Sequence, residues 1–200
     1  MAKGFQDLLG ALLTSGLARP EVLEGAAKKL GLENLLGSLL GGSGGLGGAL
    51  GGLLGGGAPK SGPNPMELIT RLAGGAPLAP TTDPEERAKT LLLAMILAAK
   101  ADGKLGPEEY DRIVRKLDEV EASPEVRSYV YQAMAEAKDP APLLEAAQKD
   151  PSLGKEIFAA SVLAIRVDTP EESRYLAELA QKLGLSQGEV QEVLERAGLA

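Results

Sequence analysis

Two stretches of the chain are apolar all the way round a helix: Leu91-Leu92-Leu93-Ala94-Met95-Ile96-Leu97 and Ile157-Phe158-Ala159-Ala160-Ser161-Val162-Leu163. A helix with no polar face cannot rest on a surface and has to be wrapped by others. Each stretch therefore predicts a central helix. The segments beside them carry one apolar stripe each, as in Ile113, Leu117 and Val120, or Val126, Val130 and Ala133, or Leu176, Ala180 and Leu183. Stripes at three- and four-residue spacing predict amphipathic helices packed around the central pair.

The boundaries of these helices can be read from their caps. Asp83-Pro84-Glu85-Glu86, Gly106-Pro107-Glu108-Glu109, Ser123-Pro124-Glu125, Asp139-Pro140, Asp150-Pro151 and Thr169-Pro170-Glu171-Glu172 each put proline at a first helical position, mostly behind a capping residue. Ser186 with Glu189 adds a capping box. Seven helices are expected, over about 84–100, 107–121, 124–137, 140–149, 151–166, 170–183 and 186–197. The fold class is all-α, a seven-helix bundle over residues 84–200.

Residues 1–33 read as an amphipathic helical hairpin, with Phe5, Leu8, Leu9, Leu12 and Leu13 on one helix and Val22, Leu23, Ala26, Ala27 and Leu30 on the other. Their apolar faces pack on each other, on the main domain, or on a membrane surface. Residues 34–83 read as a low-complexity linker, Gly/Leu-rich from Leu35 to Gly57 and then Pro-rich around a short helix bearing Met66, Ile69 and Leu72. The Gly/Leu tract is long enough to span a bilayer, but its glycines weaken a helix by roughly 1 kcal/mol each relative to alanine. A flexible linker is the simpler expectation.

Charge and missing residue types narrow the function. The chain carries a net charge of -7, and residues 1–80 hold six basic against five acidic side chains, so the acidity lies in the remainder. An acidic domain cannot grip a phosphate backbone, so nucleic acid is not an expected partner, whereas a cation or a basic protein is compatible. Histidine and cysteine are both absent. Catalysis by Ser-His or Cys-His pairs is thereby excluded, as are thiolate metal sites. A non-enzymatic protein is expected. Asp7 falls where a signal peptide needs its apolar run, so no cleavable secretion signal is expected.

One pattern occurs twice: an apolar helix runs through a basic residue into an aspartate, and Pro-Glu-Glu starts the next helix. The copies are Ala99-Lys100-Ala101-Asp102-Gly103-Lys104-Leu105-Gly106-Pro107-Glu108-Glu109 and Ile165-Arg166-Val167-Asp168-Thr169-Pro170-Glu171-Glu172. Superposing Lys100 on Arg166 aligns Asp102 with Asp168, Leu92 with Phe158 and Ile96 with Val162. With the second corner three residues shorter, Pro107 meets Pro170 and Ile113 meets Leu176. Two related helical hairpins about a pseudo-twofold axis are expected, with the corners at corresponding ends of the central helices.

The run from Ala98 to Leu105, with Glu109 and Ile113 following, and the run from Ala164 to Glu171, with Tyr175-Leu176 and Leu179-Ala180 following, resemble the YebE-like branch of the TerB-like (tellurite-resistance) fold. The resemblance covers residues 84–197. It implies a pseudo-symmetric helical bundle of unsettled molecular activity, bacterial, linked to stress or envelope responses, and cytoplasmic or inner-membrane-associated. It also implies divalent-metal binding at the acidic corner residues. The Gly-rich region that precedes the domain in that branch is present here, without a sustained apolar span flanked by basic residues.

Two readings of the corners stand side by side. If they converge, Asp102, Glu109, Asp168 and Glu172 offer hard oxygen ligands of the kind Ca2+ or Mg2+ takes. The first corner also resembles the back half of an EF-hand loop, but Ala98 and Lys100 occupy the front ligand positions. Alternatively, Asp-Gly is turn chemistry, first-turn glutamates answer the helix dipole, and Lys100 and Arg166 neutralise the aspartates. The competing function is an interaction or assembly protein that uses its Leu/Gly segment for self-association, a protein partner or a membrane surface.

Overall fold

The cap residues set the helices. Asp83 Oδ1 accepts the Glu85 and Glu86 amides at 2.9 and 3.4 Å, Asp139 Oδ1 the Ala141 amide at 2.9 Å, and Asp150 Oδ1 the Ser152 amide at 3.1 Å. Ser186 and Glu189 close a complete capping box. The structure, a computed structural model, describes residues 4–15, 65–74, 83–101, 105–136, 139–165 and 170–199. Among the described residues there are nine helices and no strand: α1 Phe5–Ser15, α2 Pro65–Leu72, α3 Pro84–Ala99, α4 Pro107–Glu119, α5 Pro124–Glu136, α6 Ala141–Lys149, α7 Ser152–Ala164, α8 Pro170–Lys182 and α9 Gln187–Arg196. The regular structure of the described residues is all α-helix, an all-α fold.

The two all-apolar helices are the centre. Every residue from Leu91 to Ala98 on α3 and from Glu156 on α7 to its C-cap Ile165 is buried, and among the described residues α3 and α7 share the most extensive helix contact. Helices α5 and α6 pack on α3, and α6, α8 and α9 pack on α7.

The N-terminal residues join this core. On α1, Phe5, Leu8, Leu9, Leu12 and Leu13 are buried, and the helix lies on α3, α2 and α4. On α2, Met66, Ile69 and Leu72 are buried, and the helix lies on α7 and α1. Burial of one such leucine is worth roughly 1.5–3 kcal/mol, more than a loosely attached segment could return to water. Of the places expected for the apolar face of the first helix, α1 takes the main domain. The expected helix over Val22 to Leu30 and the Gly/Leu tract lie outside the described residues. No helix among the described residues is long and apolar enough to cross a membrane.

Two helix junctions are built alike. Between α4 and α5, Glu121 takes φ 50°, its amide donates to Asp118 O at 3.0 Å, and the Ala122 amide reaches back to Leu117 O at 3.0 Å. Between α8 and α9, Gly184 takes φ 71°, its amide donates to Gln181 O at 3.1 Å, and the Leu185 amide reaches Ala180 O at 3.0 Å. Both are Schellman closures. Each is followed by a serine whose hydroxyl accepts an amide three residues on, Ser123 from Val126 and Ser186 from Glu189, both at 3.3 Å. The glutamate version is braced by Arg127, which donates to Ala122 O and Leu117 O at 3.1 and 2.9 Å and pairs with Asp118 at 2.6 Å.

These junctions yield a stability test. A left-handed backbone costs a non-glycine residue about 1–2 kcal/mol, and glycine returns about 0.5–1 kcal/mol of that as chain entropy. Glu121→Gly should therefore raise stability by about 0.5–1 kcal/mol in urea unfolding. A Cβ at Gly184 would meet nothing within 4 Å, so Gly184→Ala should show only the conformational cost, a loss of about 1 kcal/mol. Equal and negligible effects at both positions would contradict the assignment.

Candidate functional site

Corner residues follow directly on the central helices. Helix α3 closes at Lys100, whose amide reaches Ile96 O and Leu97 O, both at 3.2 Å, while Ala101 donates to Ala98 O at 3.0 Å. Helix α7 ends at Ile165, which turns to extended backbone. Asp102 and Asp168, the two aspartates expected to carry the site, lie outside the described residues. Glu109 stands in the first turn of α4, with its side chain outside the described set. Glu172 stands in the first turn of α8, half-buried and with an interaction partner. Among the described residues no three acidic, histidine or cysteine side chains are grouped to hold a metal ion.

The basic residue of the first corner also makes a bond that the sequence did not suggest. Lys100 Nζ donates to Met134 O at 2.8 Å, placing its charge on a carbonyl in the last turn of α5. A cation is favoured there by the exposed carbonyls of a helix C-terminus. Arg166, its counterpart, lies outside the described residues.

A cluster of charge sits where the sequence pointed only to apolar packing. Arg87, near the start of α3, pairs with Glu156 in the first half of α7 and faces Asp150 at 3.8 Å; the Arg87 and Glu156 side chains are 8% and 3% exposed. The Thr70 hydroxyl of α2 donates to Glu156 Oε1 at 2.7 Å. Four elements are thereby tied at one point. Arg87 Nη1 and Glu156 Oε2 have no hydrogen-bond partner among the described residues, so the pair is desolvated with bonding capacity left over. In the sequence Arg87 stands among Glu85, Glu86 and Lys89, and Glu156 stands beside Lys155, so nothing there marks either charge as buried.

Ser161, Tyr129 and Tyr175 are not set up as nucleophiles or bases. Ser161 is fully buried and donates to Ile157 O at 2.9 Å. Burial pushes the Tyr175 phenol up to about 12, with no hydrogen-bond partner for its hydroxyl among the described residues, and it pushes Tyr129 to about 12, helped by the negative charge of Glu86. Both phenols stay protonated at neutral pH and cannot serve as bases.

A groove of about 910 Å³ runs between α3, α5 and α6. Leu93, Ala133, Ala146 and Leu153 contribute to its apolar lining, and Glu86, Glu136, Asp139 and Glu145 line it with carboxylates against Lys89 and Lys149. Lys89 is held in place: its amine lies 3.6 Å from Glu86, 5.0 Å from the Tyr129 ring centre and 5.8 Å from that of Phe5. The two rings meet edge to face at 5.3 Å. A cation this close to a ring is attracted by its quadrupole.

The model of the family described as "Protein of unknown function (DUF533)" matches residues 5–197, and the chain belongs to that family. The match begins at the first residue of α1 and ends at the C-cap of α9, so it spans the packed core including α1 and α2. No curated protein and no solved structure matches the chain.

The buried pair gives a clear expectation. Removing one member strands the other charge, so Arg87→Met and Glu156→Leu should each cost about 3–5 kcal/mol in chemical unfolding. The double variant should cost less than the sum of the two, because the paired charges go together and only Asp150 is left buried without its cation. Additive single effects would show that the two side chains do not act as a pair.

Proposed function

Within the DUF533 family, we propose that this chain is a non-enzymatic, TerB-like helical module that works by binding, stress- or envelope-associated and either cytoplasmic or inner-membrane-associated. Its bundle derives from a duplicated unit, α3–α4–α5 and α7–α8–α9. The observation that carries this reading is the pair of matched junctions, in which left-handed closure, backbone bonds and serine cap recur at the same place in each half. The Pro-Glu-Glu starts of α4 and α8 agree with it. A binding role is supported by the state of the polar groups: the buried serine hydroxyl is engaged and two of the phenols are held protonated.

The duplication makes the corners equivalent, and the ligand proposed for them is a divalent cation, Ca2+ or Mg2+, at Asp102, Glu109, Asp168 and Glu172. The Arg87–Glu156 pair holds the N-terminal portions of α3 and α7 together, which favours two corners leaving from a common end of the central pair. Calorimetry and native mass spectrometry with Ca2+, Mg2+ and Mn2+ test this. The full chain should bind, and the combined Asp102→Asn and Asp168→Asn variant should not; equal binding by both, or none by either, ends the cation reading.

A second reading is favoured by the placement of α1 and α2. Helices α1 and α2, which flank residues 16–64 in the sequence, both belong to the packed core. The Gly/Leu tract between them in the sequence is proposed to serve self-association or membrane contact. Removing residues 1–80 would not test it, because that would also strip Leu8, Leu9, Leu12 and Ile69 from the core. Replacing residues 35–57 by a Gly/Ser stretch of equal length preserves both helices. This reading expects self-association or membrane sedimentation to be lost with helicity intact, and unchanged behaviour would refute it.

A further inference from the structure

We infer that the groove between α3, α5 and α6 is a docking site for a basic amphipathic helix of a partner protein. The inference is independent of the acidic corners and of the Gly/Leu tract. It starts from shape: Ala133 and Ala146 keep the floor low between flanking helices, and Tyr129, Pro142 and Ala146 give it accessible apolar surface above the buried Leu93 and Leu153. The groove has a volume of about 910 Å³ and is open to solvent along its length. The neighbouring elements are helices, whose backbone groups are already paired, so strand addition is not available and a helix laid along the groove is the matching mode.

Charge selects the partner. Glu136, Asp139 and Glu145 are exposed on the rim, while Lys89 is drawn back onto Tyr129 and Glu86, leaving Lys149 as the one exposed amine among the described lining residues. An acidic rim repels phosphate and anionic lipid. The carboxylates are also spread out, with no three grouped to hold a metal ion among the described residues. Spread carboxylates over an apolar floor match an occupant with spaced Lys or Arg flanking an apolar stripe. A second copy of this chain, at net charge -7, would meet its own sign. Helices α1 and α2 are already committed to the core.

The probe is an amidated Leu/Lys amphipathic peptide of about 15 residues, long enough for several helical turns, compared with its Leu/Glu counterpart. It is titrated into the isotope-labelled full chain. The amides of Thr90, Leu93, Ala133 and Ala146 should shift with the Leu/Lys peptide and not with the Leu/Glu peptide. Combined Glu136→Lys and Glu145→Lys should weaken binding about tenfold or more, since reversed rim charges repel a basic partner. The control, Glu178→Lys with Glu195→Lys, makes the same change in net charge at exposed positions on α8 and α9 and should leave binding within about threefold. Ala146→Phe, which fills the floor without altering charge, should also weaken binding while far-ultraviolet circular dichroism stays the same. The inference is overturned by no binding, by shifts centred elsewhere, or by equal weakening in the groove and control variants, which would reveal attraction to overall charge alone.

Discussion

Helices α3 and α7 bury every side chain from Leu91 to Ala98 and from Glu156 to Ile165, so neither can persist in water without the other and a coat of further helices. This contact sets the demand that the rest of the chain meets. Helices α5, α6, α8 and α9 cover part of the pair with one apolar stripe each, and α1 and α2 cover more of it from the other end of the sequence. A bundle made only of residues 84–200 would leave exposed the apolar surface that Leu8, Leu9, Leu12 and Ile69 now bury. That is the physical reason why a segment readable as an appendage belongs to the core.

The attachment of α1 and α2 follows helix electrostatics. At the start of α1, Glu85 places a carboxylate on the Phe5 amide at 2.7 Å and accepts the Gln6 side chain at 3.1 Å. Negative charge at a helix N-terminus meets unpaired amides and the positive end of the dipole. In the last turn of α2, Arg196 donates to Arg71 O at 2.7 Å and to Glu192 at 2.7 Å, putting positive charge on a carbonyl that also accepts the Gly74 amide at 3.1 Å. Glycines make the room. A Cβ on Gly4 would come within 2.6 Å of the Glu85 carboxylate, and one on Gly74 within 2.9 Å of Glu192. Lys155 adds to the second cluster at 3.1 Å from Glu189, whose carboxyl is lowered to about 2 by the Ser186 amide and hydroxyl and by that lysine.

What the sequence made legible was local. Asp83, Asp139, Asp150 and Ser186 bond to amides two or three residues on, so helix starts could be placed from adjacent letters, and the all-apolar runs had one possible destination. What it hid was long-range. The bond from Glu85 to Phe5 spans 80 residues and that from Arg196 to Arg71 spans 125, and no periodicity announces either. Arg87 and Glu156 looked like ordinary helix charges until their helices met. Glu121 did not signal a left-handed closure, because the residue that usually marks one is glycine, as at Gly184. For the candidate site, the Pro-Glu-Glu helix starts were readable, whereas the bond from Lys100 to Met134 O spans 34 residues and has no local signal.

The central claim is that α1 and α2 belong to a single cooperative core organised by α3 and α7. Native-state hydrogen exchange on the full chain tests it most directly, because each amide reports the free energy of the opening that frees it. The account predicts that amides of Leu9, Leu12 and Leu13 in α1 and of Ile69 and Leu72 in α2 exchange only through global unfolding, at the same free energy as Leu92 to Leu97 in α3 and Phe158 to Leu163 in α7. Exchange of α1 and α2 through a separate opening of lower free energy, with α3 and α7 still protected, would contradict it.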